Sequence, residues 1–310
     1  MWAHQVIDDI EKQKRNLPRN FLDNKFPPYL RKLVNADDKI RNAQQFYFGE
    51  HKTFCVFPEG ERFSPELMRY ARPPFKLCWI EFIDGADHKG ALLVEEITDG
   101  LLFILSFNDF NDYDDEWKWE MSPVGSLCAY NGALADYREH LEQIDGFMPD
   151  DDPSDANVCQ VLLINPLEAD IRQRISLRKA ADSANYDTSV LCQALILLNC
   201  KNITTEKVNP PLHVNKKRRK NGRSELFSYH ALKVRIPGTK EEIPLKNIVN
   251  PESHNRIHLR RGHFKVYTHD APLMGKHIGL YWWSPHLCGR NSKGVVVKDY
   301  QVKVRKNDEE

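Results

Sequence analysis

Apolar residues along this chain follow two periods, and the change comes near residue 50. Val6, Ile7 and Ile10 recur at helical spacing, and after Pro18 and Pro27-Pro28 a second helical stretch is expected over residues 29–46. From His51 the period shortens. Apolar runs at 53–57, 76–83, 91–97, 101–107 and 117–121 alternate with the turn pairs Asp84-Gly85, Lys89-Gly90 and Asp99-Gly100, which predicts an antiparallel meander. A short helix over 134–144, an acidic loop over 148–155, a buried strand over 158–164 and helices over 167–175 and 189–198 complete that part.

Beyond residue 200 the pattern changes again. Pro210-Pro211 and a run of cations predict a loop over 201–224, followed by strands over 227–236, 257–267, 277–283 and 294–304, with turns at Pro237-Gly238, Pro272 and Gly275. The expected fold class is α/β of the α+β type. A helical arm (1–50) leads to an acidic domain of sheet and helices (51–200). A basic linker (201–224) and a smaller basic β-rich domain (225–310) follow.

Composition supports a folded chain: 41% of residues are hydrophobic and 28% charged, the balance of a globular protein and not of a disordered one. No stretch approaches the roughly 20 apolar residues of a membrane-spanning helix. The start, Met1-Trp2-Ala3-His4 followed by Asp8, Asp9 and Glu11, lacks the basic end and apolar run of a secretory signal, so a cytoplasmic protein with no membrane partner is expected. Seven cysteines, mostly inside apolar runs such as Phe54-Cys55-Val56-Phe57 and Leu77-Cys78-Trp79-Ile80, read as reduced core residues.

The net charge of zero conceals a division. Residues 201–310 carry 23 Lys and Arg against 10 Asp and Glu, whereas residues 1–200 carry 21 against 34. Such asymmetry fits a nucleic-acid partner for the basic part, or two oppositely charged parts docked on each other. Six cations, Lys216, Lys217, Arg218, Arg219, Lys220 and Arg223, fall within eight residues and form a candidate contact for a phosphate backbone. On a continuous strand, alternation places Arg261, His263, Lys265 and Tyr267 on one face and Gly262, Phe264 and Val266 on the other. That cationic face extends the candidate nucleic-acid surface. It also offers His263 as a candidate general acid or base, with Arg261 or Lys265 stabilising charge. Tyr281, Trp282 and Trp283 leave a ring on each face of a strand, where exposed rings stack on bases and buried ones fill core.

Other chemistry is weakly supported. His258, His263, His286 and Cys288 match no zinc spacing, so neither metal nor cofactor is expected. The acidic run Asp109 to Glu116 lacks the glycine and terminal glutamate of a calcium loop. Phosphate-binding, dinucleotide, G-x-S-x-G and H-E-x-x-H signatures are missing from the sequence.

The run Arg261-Gly262-His263-Phe264-Lys265-x-Tyr267 is followed by Ala271-Pro272-Leu273-Met274-Gly275-Lys276 and then by Gly279-Leu280-Tyr281-Trp282-Trp283-x-Pro285-His286-x-x-Gly289. Together with Phe227-Ser228-Tyr229-His230-Ala231-Leu232-Lys233, it resembles a group of largely uncharacterised proteins of bacteriophages and bacterial mobile elements, over about the last third of the chain. The resemblance implies a phage accessory protein in a host bacterial cytoplasm, acting on nucleic acid or on a host protein. The expected function is therefore non-enzymatic nucleic-acid binding through the basic C-terminal surface. The alternatives are an interaction module inhibiting a host defence or replication factor, and a metal-independent endoribonuclease using His263.

Overall fold

In the computed structural model the described residues are 2–16, 28–50, 65–84, 88–109, 119–132, 134–137, 139, 159–163, 177–235, 242–244, 256–260, 262–284, 286–288 and 290–295. The opening helical period forms α1 (Ala3–Asn16) and α2 (Pro28–Asn42). The second helix ends earlier than its apolar spacing predicts, because Gln45 turns its side chain back and donates from Nε2 to the carbonyl of Ile40 at 2.8 Å. Gln44–Glu50 then runs as strand β1, with Phe46 and Phe48 buried on one face and Tyr47 half-buried on the other.

A one-turn helix α3 (Pro65–Met68) precedes the meander of β2 (Leu77–Asp84), β3 (His88–Thr98), β4 (Leu101–Asp109), β5 (Trp119–Ala129) and β6 (Cys159–Leu163). Lys89-Gly90, expected as a turn, lies inside β3. The ring of Phe82 on the paired strand occupies the place where a Cβ on residue 90 would sit, with Cζ at 2.4 Å, so glycine here serves close packing. The long helix α4 (Leu177–Leu198) begins earlier than expected. It is followed by β7 (Ile203–Val208), α5 (Leu212–Lys220), β8 (Tyr229–Arg235) and β9 (Glu242–Pro244).

These strands make one mixed nine-stranded sheet in the order β6-β5-β4-β3-β2-β1-β8-β7, with β9 paired to β8. Only β1 is parallel to its neighbours, β2 and β8. Strands from the beginning, middle and last third of the chain thus share one sheet. On one face, Phe46, Ile80, Leu92, Val94 and Leu102 meet Val190, Leu191 and Leu195 of α4, joined by Leu232, Val234, Leu280 and Trp282. On the other, Trp79, Leu93, Phe103, Phe107 and Trp119 meet Val6, Ile7 and Ile10 of α1 and Ile40 of α2. Both faces are covered, which is why β4 reads as the nearly unbroken apolar run Leu101-Leu102-Phe103-Ile104-Leu105.

Beneath α1 lies a buried carboxylate. Glu81 Oε1 accepts hydrogen bonds from the backbone N–H groups of Trp2 (2.6 Å) and Ala3 (2.8 Å) and from Trp79 Nε1 (2.8 Å), tying the start of the helix to the sheet. Burial pushes its pKa up against those hydrogen bonds.

Two smaller units complete the description. β10 (Arg256–Arg260), β13 (His286–Cys288) and β14 (Arg290–Val295) form a three-stranded sheet, and β11 (His263–Tyr267) pairs antiparallel with β12 (Gly279–Trp283). The single strand expected over 257–267 is therefore two, β10 and β11, with different partners. The expected strand at 53–57 and the expected helix at 167–175 lie outside the described residues. Among the described residues no helix is long and apolar enough to cross a membrane.

Candidate nucleic-acid interface

The cation run expected as a loop is mostly helix. Lys and Arg have good helix propensity, Pro211 precedes the first turn, and Gly222 supplies the left-handed residue that ends it at φ 65. The closing hydrogen bonds run from Gly222 N–H to the carbonyl of Arg219 (3.1 Å) and from Arg223 N–H to that of Arg218 (3.0 Å). Four cations in the last turn face the negative end of the helix dipole, which moderates their mutual repulsion.

No residue of α5 is buried. Polar contacts hold it in place: Asn215 Nδ2 donates to the carbonyl of Leu226 (3.0 Å), and Leu226 N–H donates to Asn215 Oδ1 (2.8 Å). Arg218 turns inward, donating from Nε to the carbonyl of Ser224 and pairing with Asp8 of α1 at 3.2 Å, while Ser224 N–H donates to the same Asp8 at 3.0 Å. Arg219 pairs at 2.7 Å with Glu225 on the surface, which raises the pKa of the arginine and lowers that of the glutamate. Lys216, Lys217, Lys220 and Arg223 are exposed and make no ion pair with any described residue.

His4 belongs to this junction. Its pKa falls from 6.5 to about 4, chiefly through burial and then through the nearby Arg218 guanidinium, with Asp8 acting in the opposite sense. The imidazole is neutral where α1 receives α5.

The second candidate face is carried by the β11–β12 ribbon. Alternation sets Phe264 beside Trp282 at 4.7 Å between ring centroids, on the side that packs into the α4 core. His263, Lys265 and Tyr267 lie on the other side, across from Trp283, Tyr281 and Gly279. Lys265 Nζ stands 4.7 Å from the centre of the Tyr267 ring, which in turn meets Tyr281 edge-on at 5.6 Å. Tyr281 and Trp282 are buried; Trp283 is half-buried. Arg261, expected to share this face, lies outside the described residues. The ribbon's base is anchored where Asn202 Nδ2 donates to the carbonyl of Trp282 (2.7 Å), Trp282 N–H donates to Asn202 Oδ1 (2.9 Å) and Lys201 N–H donates to the carbonyl of Leu280 (2.8 Å).

The far end of this ribbon carries the turn expected at Pro272 and Gly275. Residues 268–278 form an exposed tip closed by a bridge between Leu273 and His277, with N–H to carbonyl distances of 2.8 and 3.0 Å. Met274 (φ 52) and Gly275 (φ 73) make its turn, and Lys276 N–H closes it onto the carbonyl of Leu273 at 3.2 Å.

Among the described residues no group of His, Cys, Asp and Glu is arranged to hold a metal ion. No protein-family model, curated protein or solved structure matches this chain.

Proposed function

We propose that this protein binds nucleic acid through its basic C-terminal part, as a phage-type accessory protein, with Lys216, Lys217, Lys220 and Arg223 meeting the phosphate backbone. The observation that carries the reading is α5 itself: a helix with no buried residue, held by polar contacts, whose outward Lys216, Lys217 and Lys220 have no described acidic partner, although Arg219 pairs with Glu225. Core packing gives no reason for such a helix. A polyanion does, because each neutralised phosphate releases counterions. The carboxylates shown at this junction are already engaged, Asp8 with Arg218 and Glu11 with Arg41, which favours a polyanion over a basic protein partner.

The test is oligonucleotide binding by the purified full chain as salt is varied. With four phosphate contacts, affinity for a duplex is expected to fall about 100-fold between about 50 and about 200 mM salt. Lys216→Gln/Lys217→Gln/Lys220→Gln should weaken binding and flatten that dependence. Absence of binding at low salt, or a triple variant with unchanged affinity and salt slope, removes the reading.

A further inference from the structure

The β11–β12 ribbon becomes an arm beyond its anchored base. Lys265 and Val266 of β11 are exposed although alternation points them to opposite sides, and so is every residue from Thr268 to Ala271 and from Met274 to Lys276. Three apolar side chains on it stand in solvent: Val266 (39% exposed), Ile278 (40%) and Met274 (61%). Folding accounts for none of these exposures.

Met274 is the least expected of them. Its φ of 52 lies in the left-handed region, which a side chain adopts only at a cost and which glycine adopts freely. Burial does not offset that cost, because the side chain projects from the tip of the turn. A residue in this strained conformation that is left 61% exposed points to a contact outside the chain.

The charges around the apolar tip indicate the occupant. Between residues 263 and 279 the arm carries Lys265, Lys276 and the histidines His263, His269 and His277 against the single carboxylate Asp270. A two-stranded ribbon fits the major groove of B-form DNA, where methyl groups of thymine offer apolar contacts between two rails of phosphate. The major groove of A-form RNA is too deep and narrow to admit it.

We propose that the β11–β12 arm enters the major groove of double-stranded DNA, with Met274 against base edges and Lys265 and Lys276 toward the flanking phosphates. This rests on the nucleic-acid reading of α5 and adds to it a duplex-specific element on a separate part of the molecule.

The experiment compares a duplex oligonucleotide with its separated strands, using the full chain, Met274→Gly, Lys276→Ala and the α5 triple variant. Met274→Gly suits the purpose because glycine takes the left-handed turn without strain, so the fold is kept; a thermal unfolding curve checks this. Wild type is expected to prefer the duplex. Met274→Gly should lose about tenfold in duplex affinity, the scale of one good base contact, while single-strand affinity and the salt slope stay the same. Lys276→Ala should lower the salt slope by about one phosphate contact. Equal wild-type affinity for duplex and strands, or a Met274→Gly variant that holds duplex as tightly as wild type, overturns the arm while leaving the α5 reading in place. An α5 triple variant without effect overturns the α5 reading and leaves the arm to be judged on Met274 alone. A wild-type chain that binds no oligonucleotide overturns both.

Discussion

Glu81 offers the sharpest quantitative test of how α1 is attached to the sheet. Its side chain is 0% exposed, and its Oε1 receives three donors: the N–H groups of Trp2 and Ala3 and the indole of Trp79. The backbone donors belong to the start of a helix, where no intrahelical acceptor exists. Glu81→Ala leaves all three without that acceptor. At about 1–3 kcal/mol per orphaned buried donor, with the lower value for the partly exposed Trp2, the loss is about 3–7 kcal/mol. That is a large fraction of the roughly 5–15 kcal/mol by which domains are stable. Glu81→Gln keeps the accepting oxygen and removes the buried charge, so its stability at neutral pH should equal or exceed that of wild type. The pH dependence follows from the raised pKa. The folded state holds the proton over a range where the unfolded chain has released it. The contribution is therefore full below the ordinary carboxylate value of 4.5 and is lost as pH rises through the folded-state pKa. Urea unfolding followed by tryptophan fluorescence, on both sides of that range, measures this. Glu81→Gln should remove the high-pH decline. A Glu81→Ala variant within about 1 kcal/mol of wild type, or a Glu81→Gln variant as damaged as Glu81→Ala, would refute the reasoning.

Two further outcomes test packing and electrostatics elsewhere. Gly90→Ala drives a methyl group into the Phe82 ring, whose Cε2 and Cζ lie 2.7 and 2.4 Å from its position, and should cost about 1–3 kcal/mol in thermal or denaturant unfolding; a neutral result would mean that the ring moves aside freely. His4, neutral in the folded state with a pKa lowered from 6.5 to about 4, contributes stability that is full above 6.5 and lost as pH falls through 4. His4→Gln should flatten that acid limb of the stability curve, and an unchanged limb would assign it to other groups.

The parts of the fold legible in the sequence are those where one physical cause dominates. Val6, Ile7 and Ile10 lie on the face of α1 that reaches the sheet, and the runs at 76–83, 91–97 and 101–107 are β2, β3 and β4 because burial fixes them. Where two causes compete, local pattern misleads. Residues 44–46 continue the helical spacing of α2, but Gln45 caps that helix and the aromatic alternation of Phe46, Tyr47 and Phe48 suits the centre of a sheet. Gly90 looks like a turn until Phe82 is placed against it. Pro210-Pro211 and the dense cations read as loop, whereas the proline pair only marks where α5 starts and Asp8, distant in sequence, receives Arg218. Of the candidate site, the His263, Lys265 and Tyr267 face was legible from period two alone. The exposure of Val266 and Met274 was not, because it depends on the ribbon leaving the body of the protein.

The charge division of the chain acquires two separable roles in this fold. Part of it joins the basic segment to α1, through Arg218 and Asp8 at 3.2 Å. Pairs of this kind contribute about 0–1 kcal/mol each where solvent reaches them. They are too weak to be what fixes the last third of the chain to the rest. That attachment is apolar and backbone-mediated: Leu232 and Val234 of β8, with Leu280 and Trp282 of β12, share the core under α4, and β8 is bonded to β1 within the sheet. Screening by salt acts on the first kind of contact and leaves the second intact. The fold therefore does not depend on attraction between its acidic and basic parts, and the cations that face outward are not needed to assemble it. Under the proposed function, a salt dependence of oligonucleotide binding would accordingly report on Lys216, Lys217, Lys220, Arg223 and the arm lysines, and not on a loosening of the protein that carries them.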